Sequence, residues 1–211
     1  TNPFPDPYCS DKECQTTWEY TSARIITSSN KTVNPGNEIT VCFKVPDGTG
    51  HWPAIWMLPQ GFIEGNKTWP QDGEIDLMEA RGRVPQTIGA AIHFANSNNS
   101  NQYISHEVTV PMNVNFQDKF HSITFKWIED VIEMYLDTNS EPFYSEGKNS
   151  TPFNNANYPF NEEFYLLFNV ASGGNFDSNQ IDQTKYCNDE QCSNLSNPDK
   201  GRFIIDYIEI K

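Results

Sequence analysis

Gly73-Glu74-Ile75-Asp76-Leu77-Met78-Glu79-Ala80 is the stretch on which the reading of the fold turns. Side chains alternate across a strand with period two, so Glu74 and Asp76 share one face and Ile75 and Leu77 share the other. Glu79 breaks that rhythm. It lies five residues from Glu74, and a regular strand would turn it to the apolar side. One extra residue near Leu77-Met78, a β-bulge, brings all three carboxylates onto one face. The expectation is a bent, concave strand with a buried side below and an acidic side above. By charge spacing alone, a solvated acidic edge strand reads equally well, but Ile75, Leu77 and Met78 argue against full exposure.

Outward from this segment the chain is rich in strand signals and nearly devoid of helical periodicity. Ile39, Val41, Phe43 and Val45 alternate with Glu38, Thr40, Cys42 and Lys44. His121, Ile123, Phe125 and Trp127 share one parity, and Ile132, Met134 and Leu136 share another, with Glu129-Asp130 placed for a tight hairpin. Further strands are expected at 24–27, 54–58, 74–80, 87–94, 104–110, 164–170 and 203–210, separated by Gly, Pro, Asn and Ser clusters. So many short strands predict an all-β sandwich of two packed antiparallel sheets. No repeat or linker divides the 211 residues, which read as one domain over 1–211. Residues 1–17, with three prolines, read as a tethered arm.

Composition narrows the partner. The net charge is −14, from 28 acidic and 14 basic residues. Such a chain repels nucleic acid, anionic membranes and sulfated polysaccharides, and a neutral partner suits it better. Aromatics make up 13% against a hydrophobic fraction of 36%, which suggests that part of the aromatic surplus lines a surface. No apolar run is long enough to span a bilayer, and no signal peptide opens the sequence, which reads as a mature form. Cys9 and Cys14 have the same spacing as Cys187 and Cys192, wider than a zinc ribbon uses; two disulfides with Cys42 left reduced are expected, in a pairing the spacing leaves open. Asn-x-Ser/Thr sites at Asn30, Asn66, Asn98, Asn149 and Asn194 add to the expectation of a secreted, glycosylated monomer.

Three like charges on one face raise at least one carboxyl pKa, which sets a protonated acid beside an ionised nucleophile. That is the division of labour of retaining glycoside hydrolysis. Trp52, Trp56 and Trp69 lie just upstream, in His51-Trp-Pro-Ala-Ile-Trp-Met-Leu-Pro59 and Trp69-Pro-Gln-Asp-Gly-Glu74, and indole faces stack on sugar rings. The two halves together, Trp-Pro-Ala-x-Trp-Met-Leu-Pro and Gly-Glu-Ile-Asp-x-x-Glu, resemble glycoside hydrolase family sixteen in its laminarinase-like branch. The resemblance extends over Tyr20-Thr-Ser-Ala-Arg-Ile25, 88–94, 120–127, 164–175 and 205–210. The lichenase branch usually carries the shorter Glu-x-Asp-x-Glu.

The resemblance implies a β-jelly roll with a concave sheet forming a glucan cleft, and endo-acting, retaining hydrolysis of β-1,3-glucan, with mixed-linkage β-1,3-1,4-glucan as a further substrate. It implies Glu74 as nucleophile, Asp76 as its partner and Glu79 as acid/base. Trp56, Trp69 and Trp127 would shape the subsites, with Trp52 beside them; Arg24 and Asn169 would bind sugar hydroxyls; His93 would lie near the acid/base. It also implies a structural Ca²⁺ at Asp206, set against the alternative of a hydrogen-bonded or exposed carboxylate, and no cofactor for catalysis. Three departures stand out. The stretch before Tyr20 is shorter than usual, the usual Tyr-Gly-x-Phe-Glu strand appears only as Pro35-Gly-Asn-Glu-Ile39, and Phe176 stands where a Trp is often found. Two other functions share this fold, a non-catalytic β-glucan recognition protein and a transglycosylase; relatives of the first kind typically lose a catalytic glutamate, and both are present here. The four histidines show no metal-ligand spacing, and the loop opened by Asp137 fails as an EF-hand at Pro142 and Lys148.

Overall fold

The computed structural model describes residues 20–27, 31–150, 153, 158–188, 191, 194 and 201–211. The strands in chain order are β1 (Arg24–Ile26), β2 (Thr32–Val33), β3 (Glu38–Lys44), β4 (His51–Pro59), β5 (Glu74–Ala80), β6 (Thr87–Ala95), β7 (Asn101–Thr109), β8 (His121–Ile128), β9 (Val131–Leu136), β10 (Tyr144–Gly147), β11 (Phe164–Ser172) and β12 (Ile204–Ile210); one short helix, α1 (Gly61–Glu64), follows β4. They form a seven-stranded sheet, ordered β1-β11-β4-β5-β6-β7 with β2 also on β11, and a five-stranded sheet, ordered β10-β9-β8-β3-β12. The pairing is antiparallel throughout. This is the expected two-sheet jelly-roll sandwich.

Alternation builds the core. From the smaller sheet Ile39, Val41, Phe43, Ile123, Phe125, Trp127, Ile132 and Met134 point inward, and from the larger sheet Ile55, Met57, Ile75, Ile92, Phe94, Phe164 and Leu166 meet them. Each such side chain contributes about 1.5–3 kcal/mol by leaving water. Many of the large aromatics go inward, and Phe43, Phe94, Phe116, Phe125, Phe160, Phe164 and Trp127 are fully buried, so the surplus is divided between the core and the surface.

Trp127 is a correction. It was expected beside the substrate, but β8 belongs to the smaller sheet and the indole lies in the core, 1% exposed, edge-on to Phe125 and Phe164. Its parity with Ile123 and Phe125 dictates that direction. Asp206 takes its place from an irregularity in the last strand. The register of β12 on β3 shifts between Ile205 and Tyr207, so Asp206 is the extra residue of a bulge and is exposed. Cys42 is buried and free, as expected. The expected arm at 1–17, with Cys9 and Cys14, and also Cys192 lie outside the described residues.

Candidate active site

β5 runs through the middle of the larger sheet, between β4 and β6. Against β6, Asp76 pairs with Ala91 and Glu79 with Gly89, so two residues, Leu77 and Met78, oppose Ala90 alone; against β4 the register shifts at the same place. The bulge stands where the spacing requires it. Leu77 and Met78 are both fully buried in the core, and Glu74, Asp76 and Glu79 emerge together on the other face. There they line a pocket of about 250 Å³ with Trp52, Ala54, Trp56, Asn169 and Ala171.

Register places the rest of the face in cross-strand rows. One row holds Glu74, His93 and Tyr103, the next Trp56, Asp76, Ala91 and Ser105, and the third Arg24, Asn169, Ala54, Glu79, Gly89 and Glu107. The Trp52 Nε1–H donates to Glu79 Oε1 at 2.8 Å, and the Trp56 Nε1–H donates to Asn169 Oδ1 at 2.7 Å. Both indoles are half-buried, and Trp69, 46% exposed, faces His93 across 6.2 Å. Arg24 is exposed beside Asn169 on the same face but does not line the pocket. His93 differs from its expected place. Its Nε2 lies 3.3 Å from Asp76 Oδ2 and 3.9 Å from Glu74 Oε1, so it sits against Glu74 and Asp76 rather than against Glu79, because its register partner is Glu74.

Burial dominates the electrostatics. Glu74 is pushed up to about 8, first by desolvation and then by the neighbouring Asp76 charge, while His93 and a hydrogen bond from Trp69 oppose the shift. Asp76 is raised well above the usual carboxylate range by burial and by Glu79. Glu79 is raised by burial as well, held back by the Trp52 hydrogen bond and by the His93 and Arg81 charges. Three carboxyls so enclosed share protons rather than carry three charges. The cluster thus keeps at least one proton, and acid-assisted displacement at a sugar carbon needs such a proton on one carboxyl while a neighbour is ionised. Glu74, Asp76 and His93 also present ligand atoms within 4.8 Å of one another; among the described residues no such three-residue set includes Asp206.

The sequence reading missed several residues on this face. Tyr103, exposed on β7, packs on His93 at 5.6 Å. Leu58, Tyr165 and Leu167 form a small apolar cluster with Trp56 and Phe62 of α1. Arg81 packs on Phe176, the residue already noted where a Trp is often found, and Phe176 stacks on Trp52. Strand parity could have found Tyr103; the others depend on which strands and loops pair, which spacing does not encode.

Residues 8–188 match the family model described as glycosyl hydrolases family 16. The chain is 38% identical over 165 residues to a glucan endo-1,3-beta-glucosidase A1 of Niallia circulans, covering 75% of this chain and 23% of that protein. It is 34% identical over 163 residues to a glucan endo-1,3-beta-glucosidase of Cryptopygus antarcticus, covering 75% of this chain and 57% of that one. The chain thus spans less than two thirds of both relatives. Among solved structures, the laminarinase catalytic domain of Thermotoga maritima MSB8 superposes with a TM-score of 0.75 at 29% identity, covering 96% of this chain and 72% of that chain.

Proposed function

Because the chain belongs to the glycosyl hydrolases of family 16, we propose that it is an endo-acting retaining hydrolase of β-1,3-glucan. The observation that carries the reading is the bulge, which sets Glu74, Asp76 and Glu79 together in a pocket walled by Trp52 and Trp56. In the first step a Glu74 oxygen attacks the anomeric carbon, the glycosidic bond breaks, and Glu79 delivers its proton to the departing oxygen. In the second step Glu79 takes a proton from water, which displaces Glu74 and releases the β-anomer. Asp76, 5% exposed and beside Glu74, shares a proton with it and steadies its geometry. Asn169 in the pocket and Arg24 beside it offer polar groups that suit sugar hydroxyls.

The protein also reads as secreted. Asn66 is exposed after α1 and Asn98 is exposed on a turn, both accessible to glycosylation, and the cysteine spacings fit disulfides. The reaction needs no metal, so a calcium ion at Asp206 would be structural only, and EDTA is expected to leave turnover unchanged.

The test is product analysis on laminarin, lichenan, curdlan and agarose, with NMR of the first anomer. Net new reducing ends of β configuration from laminarin are expected, with cleavage of lichenan as the sign of mixed-linkage tolerance. An α-anomer, chain-length redistribution without net reducing ends, or binding without cleavage would each reject the reading. Glu74→Ala should abolish turnover yet accept an α-glycosyl fluoride donor. Glu79→Ala should keep cleaving substrates with good leaving groups, accelerated by azide.

A further inference from the structure

One layer behind Glu79, four side chains touch in series. The Trp52 Nε1–H donates to Glu79 Oε1 at 2.8 Å. The Trp52 indole stacks on Phe176 with centroids 4.8 Å apart and planes 25° apart. The Arg81 guanidinium lies 4.7 Å from the Phe176 centroid, a cation–π contact. Arg81 is in turn ion-paired with Glu107 on β7. The loop that carries Phe176 is pressed close to the indole: at Gly174, with φ of 95°, a Cβ would meet the Trp52 ring at 3.0 Å. The indole therefore cannot swing away from Glu79 while Phe176 is held, and Phe176 is held by a cation that follows β5 by one residue.

We propose that Arg81 is a positioning residue for the acid/base: anchored by Glu107, it clamps Phe176 onto Trp52 and so keeps the indole N–H aimed at Glu79. Arg81 touches no reacting atom in this role. Beside the direct effect of its charge on Glu79, it acts through the ring stack, which Phe176→Leu loosens with the charge left in place, and the inference rests on the assignment of Glu79 proposed above. The planar guanidinium is what the contact uses, since it stacks on an aromatic face and pairs with a carboxylate at once; a lysine ammonium does so less well.

The experiment compares two substrates, because only one needs the acid. Laminarin has a poor leaving group that must be protonated; a dinitrophenyl β-laminaribioside has a good one that need not be. The kcat/KM of the aryl substrate reports the steps up to loss of the phenolate and so is independent of the later base step. Arg81→Met and Phe176→Leu should each lower kcat on laminarin about tenfold, the effect of loosening one hydrogen bond to a charged group, with KM unmoved. Both should leave kcat/KM on the aryl substrate within about twofold. The double variant should lose no more than the worse single one, since the two act in series. Phe176→Trp should retain most of the activity, and Arg81→Lys should fall between Arg81→Met and the parent. Glu107→Gln, on an exposed side chain where the fold is not at risk, should show a smaller loss of the same kind. Parallel losses on both substrates, additive losses in the double variant, or no loss on laminarin would overturn the clamp. If the parent protein fails to cleave the aryl substrate at all, the hydrolase reading fails instead.

Discussion

Glu74 is a carboxyl that the fold has taken out of water. Its folded pKa, about 8, lies above the ordinary 4.5. The folded chain thus holds a proton that the unfolded chain releases, so this contribution to stability is fully present below pH 4.5 and gone above about 8. Glu74→Gln is neutral at every pH. It should melt above the parent at pH 8, by about 2–4 °C for each kcal/mol recovered, with the gap closing toward pH 4.5. Identical melting curves at both pH values would contradict the burial argument. Trp127 shows what was legible at this scale. Its parity with Ile123 and Phe125 already placed it on an apolar face; the family resemblance pointed it at the substrate, and alternation prevailed. Its buried Nε1–H has no partner. Trp127→Phe should therefore cost no more than about 2 kcal/mol, because lost packing is offset by removal of an orphaned donor. Laminarin kinetics should not change, and a raised KM would restore Trp127 to the cleft.

Among the elements, the bulged β5 was readable because Ile75, Leu77 and Met78, set among the three charges, argued against the solvated edge strand that charge spacing alone allowed. The shorter pieces were not. β2 and β10 carry too few residues for a periodic signal, and β7 begins at Asn101, before its first apolar residue, because pairing with β6 sets its bounds. The β8–β9 hairpin was expected at Glu129-Asp130, and Glu129 takes a φ of 51°. That left-handed conformation costs about 1–2 kcal/mol in a residue with a Cβ. Glu129→Gly should gain about 0.5–1 kcal/mol net of the added freedom of the unfolded chain, measured as a higher urea midpoint. Removal of Leu77 tests the bulge itself. The strand becomes regular, Glu79 moves up one position, and its carboxylate stays on the face of Glu74 and Asp76. The variant should fold, losing about 2–5 kcal/mol for the missing core side chain, and keep measurable hydrolysis. A folded variant with Glu79 turned inward and no activity would show that the register is held elsewhere.

At the scale of the whole molecule, two stacked antiparallel sheets followed from strand number and alternation. Strand order did not, since period two says which face a residue takes and never which strand lies beside it. β11 sits between β1 and β4, and that single placement brings Asn169 to the site. The charge of −14 is likewise a property of the whole chain. A neutral glucan feels little of it, so KM for laminarin should stay constant between about 0.05 and 0.5 M salt, where screening lengths fall severalfold. A steep dependence would indicate a charged substrate.

The bulge has a consequence at the level of the gene. Because it consists of one whole residue, no point substitution can create or remove it, whereas a single in-frame triplet does either and leaves both flanking strands facing as before. The four- and five-residue spacings of the two glutamates are therefore one mutational event apart. Libraries built only from base changes can vary every side chain around this site and still never sample the other spacing.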